Sequence, residues 1–293
     1  IMAVQGNCAS MEVLVQAGVK DADLLIAVTN ADEINLLCCM TAHGINANIH
    51  TIARIRNPEY TEQIYKMRNL FALSMTTNPE KQAAIEIERL LKYPGFLKRD
   101  TFARGRVEIV ELRVDAEHKL CNTALNDLYS IVKCKILVCT VLRNGTAIAP
   151  DGNFVLRAGD RIFVTAPAND LTLLLKNLGI IRHKVKRAII CGGGRVSFYL
   201  AQILLKNGIN VQIIEQNKDR CRQLSNLLPE ASIIHGDATK EFLLEDEGIA
   251  GCDALVTLTG VDEMNIVISL YGCSCGVPRV VTKLGRLETN KIL

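Results

Sequence analysis

The sequence predicts an α/β protein in which a doubly wound, parallel-sheet lobe occurs twice, with a small α+β domain between the copies. Three observations carry that expectation. The first is a gapless internal repeat aligning residues 6–35 with residues 236–265 at a constant offset of 230. Its identical pairs are Gly6/Gly236, Leu14/Leu244, Gly18/Gly248, Asp23/Asp253, Leu25/Leu255, Thr29/Thr259, Asp32/Asp262, Glu33/Glu263 and Asn35/Asn265. An offset that long lies outside solenoid periods, so one domain is present twice. The second is a strand, glycine run, helix and strand met in that order from residue 188, the opening of a nucleotide-binding βαβ unit. The third is a hairpin-rich stretch between the copies, of a different character.

Each element follows from local pattern. In both copies a strand (23–29 and 253–259) leads into Asp-Glu-x-Asn, which opens a helix. Strands alternating with helices imply a parallel sheet. Upstream in the second copy, Ala188-Ile189-Ile190-Cys191 is a buried-strand run ending at Gly192-Gly193-Gly194. A helix over 195–207 follows, with Val196, Leu200, Ile203 and Leu204 on one face and Gly208 closing it. Strands are expected over 210–215, 232–235 and 279–283. The first copy opens within what corresponds to its third strand. Both copies read as truncated, and the chain as a piece of a longer two-copy protein. Between them, Asn78-Pro79-Glu80 starts a helix broken at Pro94-Gly95. Residues 107–112 alternate as a strand does, 134–142 and 161–165 are further strands, Asn144-Gly145 is a hairpin turn, and 171–178 is a closing helix. The expected domains are 1–75 (end of the first lobe), 76–106 (helical crossover), 107–183 (small α+β domain) and 184–293 (second lobe).

Composition narrows the function. At 293 residues the chain exceeds one core, and 49% hydrophobic with 22% charged residues excludes a disordered protein. A formal charge of +3 gives no reason to expect nucleic acid or an anionic membrane surface as partner. The longest stretch free of charged residues, 34–53, holds Asn35, Thr41, His43, Asn46, Asn48, His50 and Thr51, so no direct membrane insertion is expected. The start, residues 1–6, has no signal-peptide pattern, and the expected location is the cytoplasm. The eleven cysteines sit mostly in apolar runs; no C-x-x-C occurs, and Cys273-Ser274-Cys275 lacks a His pair to complete a zinc set. They read as core residues of a reducing compartment, and no metal site is expected.

Gly192-Gly193-Gly194-Arg195-Val196-Ser197 fits G-x-G-x-x-[small]. The first glycine permits a tight turn, the bare Gly194 lets a pyrophosphate approach, and the helix N-terminus supplies N–H donors. Glu215 follows 21 residues after Gly194, at a strand end where its carboxylate is placed to take the hydroxyls of an adenosine ribose and repel a 2′-phosphate; the alternative is a plain turn over 192–194 and a solvated strand end at Glu215. Thr259-Gly260 and Thr29-Asn30 end the fourth strands, either under a bound nucleotide or as turn chemistry. Asp262 and Asp32 read first as helix N-caps, and Asp237 as a cap or an adenine contact. Arg54 and Lys283 end the fifth strands, as phosphate-reaching cations or as solvated ends. Catalytic machinery is not evident: His43, His50, His118, His183 and His235 share no spacing with a nucleophile, and no H-E-x-x-H, G-x-S-x-G or Walker motif occurs. A nucleotide site without such machinery points to sensing.

Together Val28-Thr29-Asn30-Ala31-Asp32-Glu33-Ile34-Asn35, Ile52-Ala53-Arg54-Ile55-Arg56-Asn57-Pro58-Glu59-Tyr60, Asn78-Pro79-Glu80, Gly192-Gly193-Gly194-Arg195-Val196 and the stretch 156–164 resemble the TrkA family. These are cytosolic, peripheral nucleotide-binding subunits of bacterial Trk potassium uptake. The resemblance implies RCK (regulator of potassium conductance) units, each a Rossmann-like N-lobe with a small C-domain. It further implies binding of NAD(H), or of ATP or ADP as in related systems. The implied partners are further copies in a homo-oligomeric ring and an integral membrane potassium-translocating subunit of the TrkH/TrkG kind. Family nucleotide contacts fall on Gly192, Gly193, Gly194, Arg195, Val196, Glu215, Thr259, Gly260 and Lys283, and in the first copy on Thr29, Asn30 and Arg54. The chain departs from the family pattern in lacking the first glycine loop and the final small domain. The alternative reading is an NAD-dependent oxidoreductase using the same loop; a DNA-binding redox sensor is disfavoured by the charge balance.

Overall fold

The computed structural model describes residues 2–92, 96–102, 107–179 and 185–285. The expected break at Pro94-Gly95 and His183 lie outside them. The chain divides into two compact units, residues 1–84 and 85–293.

The first unit contains α1 (Met11–Gln16), β1 (Leu24–Ala27), α2 (Asp32–Ile45), β2 (His50–Arg54), α3 (Pro58–Met67), β3 (Met75–Thr77) and the first part of α4 (Pro79–Lys92). Its sheet runs β1-β2-β3, wholly parallel, with Leu24 opposite His50 and Ile52 opposite Met75. The core gathers Leu14, Leu36, Cys38, Cys39, Ala42, Ala53 and Ile64 from α1, α2, β2 and α3. The strand expected at the chain's opening does not form: residues 2–10 join no ladder. Its counterpart in the second copy is held by pairing to a neighbour, and no such neighbour stands beside residues 2–10 among those described.

The second unit carries two sheets. In the first, β4 (Phe96–Phe102), β5 (Val107–Arg113), β6 (Leu137–Arg143), β7 (Thr146–Ile148) and β8 (Arg161–Ala166) form an antiparallel sheet ordered β4-β5-β8-β6-β7. Two helices accompany it, α5 (Leu128–Val132) and α6 (Ala168–Asn177). Val110, Leu112, Ile162, Val164, Leu174 and Leu175 fill the space between. Asn144 and Gly145 both take positive φ, 52° and 80°, the turn that suits a two-residue hairpin. Two expectations need correction. The stretch 76–106, read as a helical crossover, also holds the end of β3 and all of β4. The strand expected from Cys134 starts only at Leu137, because Lys133 (φ 51°) closes α5 in the left-handed conformation and the chain must turn before pairing.

The other sheet is built from β9 (Arg187–Cys191), β10 (Asn210–Glu215), β11 (Ser232–His235), β12 (Ala254–Thr257) and β13 (Val280–Thr282). All its pairings are parallel and the order is β11-β10-β9-β12-β13. Ile189, Ile190, Cys191, Leu255 and Val256 are fully buried, as central parallel strands require. Crossovers are α7 (Arg195–Lys206), α8 (Lys218–Leu227), α9 (Glu241–Asp246) and α10 (Asp262–Ser274). Chain order reverses direction between β9 and β12, and open α/β sheets bind ligands at the carboxyl edge of that switch point. Gly192, Thr259 and Lys283 follow strand ends there, and Glu215 is the last residue of β10.

Candidate functional site

A cavity of about 440 Å³ opens at this edge, within the range of small-molecule sites. Gly192, Gly193, Gly194, Glu215, Asp237, Thr259, Gly260 and Lys283 line it, with Ile214, Leu258, Met264 and Ile268 as apolar floor. The sequence-derived contacts of the second copy therefore converge, apart from Arg195 and Val196, which occupy the first turn of α7 and do not line the cavity.

The three glycines are bare for three reasons. Gly192 has φ +101°, and a Cβ there would stand 2.9 Å from the Leu258 carbonyl oxygen, so turn and close approach both demand glycine. A Cβ on Gly193 would meet Leu224 Cδ1 at 2.7 Å and Glu215 Oε2 at 2.9 Å. One on Gly194 would meet nothing within 4 Å: the space above it is open. Gly194 is also the N-cap of α7, and no side chain caps that helix. The first-turn N–H groups, which a helix cannot use internally, are thus left for an anion. Ser197, fully buried, donates from Oγ to the Gly192 carbonyl at 2.5 Å and pins the turn to the helix.

Glu215 is positioned by backbone. Its Oε2 accepts from Gly193 N at 2.6 Å and its Oε1 from Asn217 N at 2.7 Å. Each oxygen keeps a further lone pair, which suits the two hydroxyls of a ribose. Asp237 is not the cap of α9, whose N-cap is Lys240. Its Oδ1 accepts from Thr239 N and Oγ1 at 2.9 and 2.7 Å, and those bonds hold its carboxyl below the usual range. Asp237 thus shapes the Gly236–Thr239 turn while lining the cavity.

Thr259 and Lys283 are joined by a residue to which sequence reasoning gave no role. Asn265, fully buried, accepts from Thr259 N (2.9 Å) and Oγ1 (2.7 Å) and donates to the Lys283 carbonyl at 3.0 Å. Lys283 Nζ in turn donates to the Thr259 carbonyl at 3.3 Å. The first unit repeats this clasp: Asn35 accepts from Thr29 N and Oγ1, both at 2.7 Å, and donates to the Arg54 carbonyl at 2.9 Å. Arg54 Nη2 donates to the Thr29 carbonyl at 2.7 Å. Asn30 is exposed beside it, and no glycine loop faces these residues among those described. The signal was present, since Asn35/Asn265 is one of the identical pairs of the repeat.

The capping reading of Asp32 and Asp262 is overturned. Each is the first residue of its helix, and the N-caps are Ala31 and Val261. Asp32 Oδ2 accepts from Arg56 N and Asn57 N at 2.8 and 2.7 Å, and Asp262 accepts from Gly285 N. Both carboxylates fasten the loop beyond the next strand rather than their own helix. The buried thiols behave as core: burial pushes Cys191 and Cys38 to about 12 and Cys39 and Cys252 to about 11. Among the described residues no cluster of three or more His, Cys, Asp or Glu is arranged to hold a metal, and no helix is long and apolar enough to cross a membrane.

Comparison with known proteins agrees with this fold. The TrkA-N domain model matches residues 1–72 and again 188–293, and the TrkA-C domain model matches 109–179. The Trk system potassium uptake protein TrkA homolog of Archaeoglobus fulgidus is 36% identical over 100% of this chain and 66% of its own length. Trk system potassium uptake protein TrkA of Haemophilus influenzae is 33% identical over 98% of this chain and 63% of its own. The chain thus spans just under two thirds of these relatives. Among solved structures, the GsuK channel bound to NAD shares the fold, with TM-score 0.62 at 18% identity over 94% of this chain and 52% of that one.

Proposed function

This chain belongs to the TrkA family, and from that premise we propose that it is a nucleotide-binding regulatory subunit of potassium uptake, with its working site at the carboxyl edge of the second parallel sheet. The observation that carries the reading is the uncapped start of α7, opening at Gly194 into free space, with Glu215 lining the same cavity and bonded to Gly193 N. A diphosphate settles at the open start of α7 beside Gly194, where the helix dipole favours negative charge. The second lone pairs of Glu215 take the ribose hydroxyls, and its charge turns away a 2′-phosphate. Asp237, Thr259, Gly260 and Lys283 close the remaining sides. NAD(H) is the leading ligand, with ATP or ADP next; a neighbour of the same fold is named for bound NAD. Thr29, Asn30 and Arg54 form the corresponding edge of the first lobe.

The role is regulatory rather than catalytic. What supports this reading is the family, whose similar members are named as potassium uptake proteins. Bound nucleotide acts by favouring one arrangement of lobes over another, which requires different affinities for the two. The partner that responds is an integral membrane potassium-translocating subunit of the TrkH/TrkG kind. The chain works at the cytoplasmic face, in a ring of its own copies.

Calorimetry of NADH, NAD, ATP and ADP tests the site against Gly194→Asp. The new side chain enters open space and places a carboxylate where the diphosphate sits. Aspartate and glycine are both accepted at an N-cap, so stability changes by no more than about 0.5 kcal/mol. Binding of at least one nucleotide, weakened tenfold or more in the variant, is expected. Equal binding by both proteins places the site elsewhere.

A further inference from the structure

Arg220 belongs to neither the glycine motif nor the cavity lining, yet it closes a circuit of hydrogen bonds around the glycine loop. Gly193 N donates to Glu215 Oε2 at 2.6 Å, and Arg220 Nε donates to the Gly193 carbonyl at 2.7 Å. Arg220 N donates to Asn217 Oδ1 at 2.9 Å, the N-cap bond of α8, and Asn217 N returns to Glu215 Oε1 at 2.7 Å. The peptide groups on either side of Gly193 are therefore gripped from both directions, the N–H by a carboxylate and the carbonyl by a guanidinium.

We propose that Arg220 is a positioning residue for the diphosphate: it holds the Gly193 carbonyl turned toward α8, so that the face of the loop presented to the ligand offers N–H groups and no lone pair. This rests on the nucleotide reading above. A carbonyl facing the phosphates would repel them, and a glycine loop released from its anchor samples such states readily. The side chain is half-buried, and that burial lowers its proton affinity. Its side chain donates to the Gly193 carbonyl and to Gln223 Oε1, neither of them a carboxylate. A half-buried guanidinium whose Nε is held on a loop carbonyl fixes the orientation of that peptide group. Glu215 and Arg195 are the charges that act on it, and the like charge of Arg195 leaves the helix start positive and receptive to an anion.

The test separates loop geometry from stability by comparing ligands with and without phosphates. ADP is titrated by calorimetry and adenosine by NMR against the full chain, Arg220→Met and Arg220→Lys, with melting followed in parallel. Arg220→Met is expected to weaken ADP at least tenfold while adenosine changes less than twofold, and Arg220→Lys, which keeps a donor and the charge, recovers most of the ADP affinity. Parallel loss of both ligands, or no loss of either, overturns the assignment. Should Arg220→Met melt too low to titrate, Arg220→Gln serves for the same ratio. A full chain that binds neither ADP nor NADH refutes the nucleotide reading itself, whereas binding unaffected by the substitutions refutes only the role of Arg220.

Discussion

Asp160 carries the most exacting polar contact of the small domain. Almost fully buried, it accepts from Arg143 Nε and Nη2, each at 2.7 Å, and from Arg157 N at 2.8 Å. The Arg143 bonds hold its carboxyl below the ordinary 3.8, against the opposing effect of burial. A lowered folded value means the pair contributes fully above the unfolded value and fades as pH falls through the folded one. Asp160→Asn is therefore expected to cost about 2–4 kcal/mol at neutral pH. In denaturant melts the gap between variant and parent should narrow below pH 4; a constant gap would show that charge is not what holds Arg143. At this scale the geometry of the glycine turn was legible: Gly192 takes the positive φ that a tight turn needs, the space above Gly194 is open, and Glu215 lines the same cavity. Asp32 and Asp262 were misread because a carboxylate at a helix start looks the same in sequence whether it bonds its own helix or a loop 24 residues away.

Elements were legible where pattern and packing coincide. β10 and β11 form over the expected residues because each is a short strand between turn signals in a parallel sheet, β10 largely buried and β11 at the edge with its two isoleucines half-buried. β4 was missed because Lys98, Arg99 and Asp100 break its apolar run, and what holds it is pairing to β5 at the sheet edge. Such pairing depends on a partner remote from any local window. The Asn265 clasp is a comparable case, since it joins the ends of β12 and β13 through one buried side chain. Asn265→Ala leaves Thr259 N and the Lys283 carbonyl without that partner, and is expected to destabilise the second lobe by about 2–3 kcal/mol. Urea melts reporting less than about 0.5 kcal/mol would mean that water replaces the clasp without cost.

At the scale of the whole molecule, the cavity lies entirely within the second compact unit. A chain of residues 78–293, starting at the turn before α4, is expected to fold and to bind ADP within threefold of the full chain. Loss of binding by calorimetry would show that the first unit supports the site. The two lobes also differ in a way no local pattern announces. β12 is buried along its whole length between β9 and β13, while β1, an edge strand among the described residues, exposes Leu24 and Ile26. The same repeat unit therefore presents two surfaces according to what stands beside it. Because the Asn–Thr clasp persists in both settings, the molecule carries its own internal reference. Whatever Asn35→Ala costs measures the fastening of a sheet edge, and any excess in Asn265→Ala that vanishes when ADP is withheld belongs to the ligand alone.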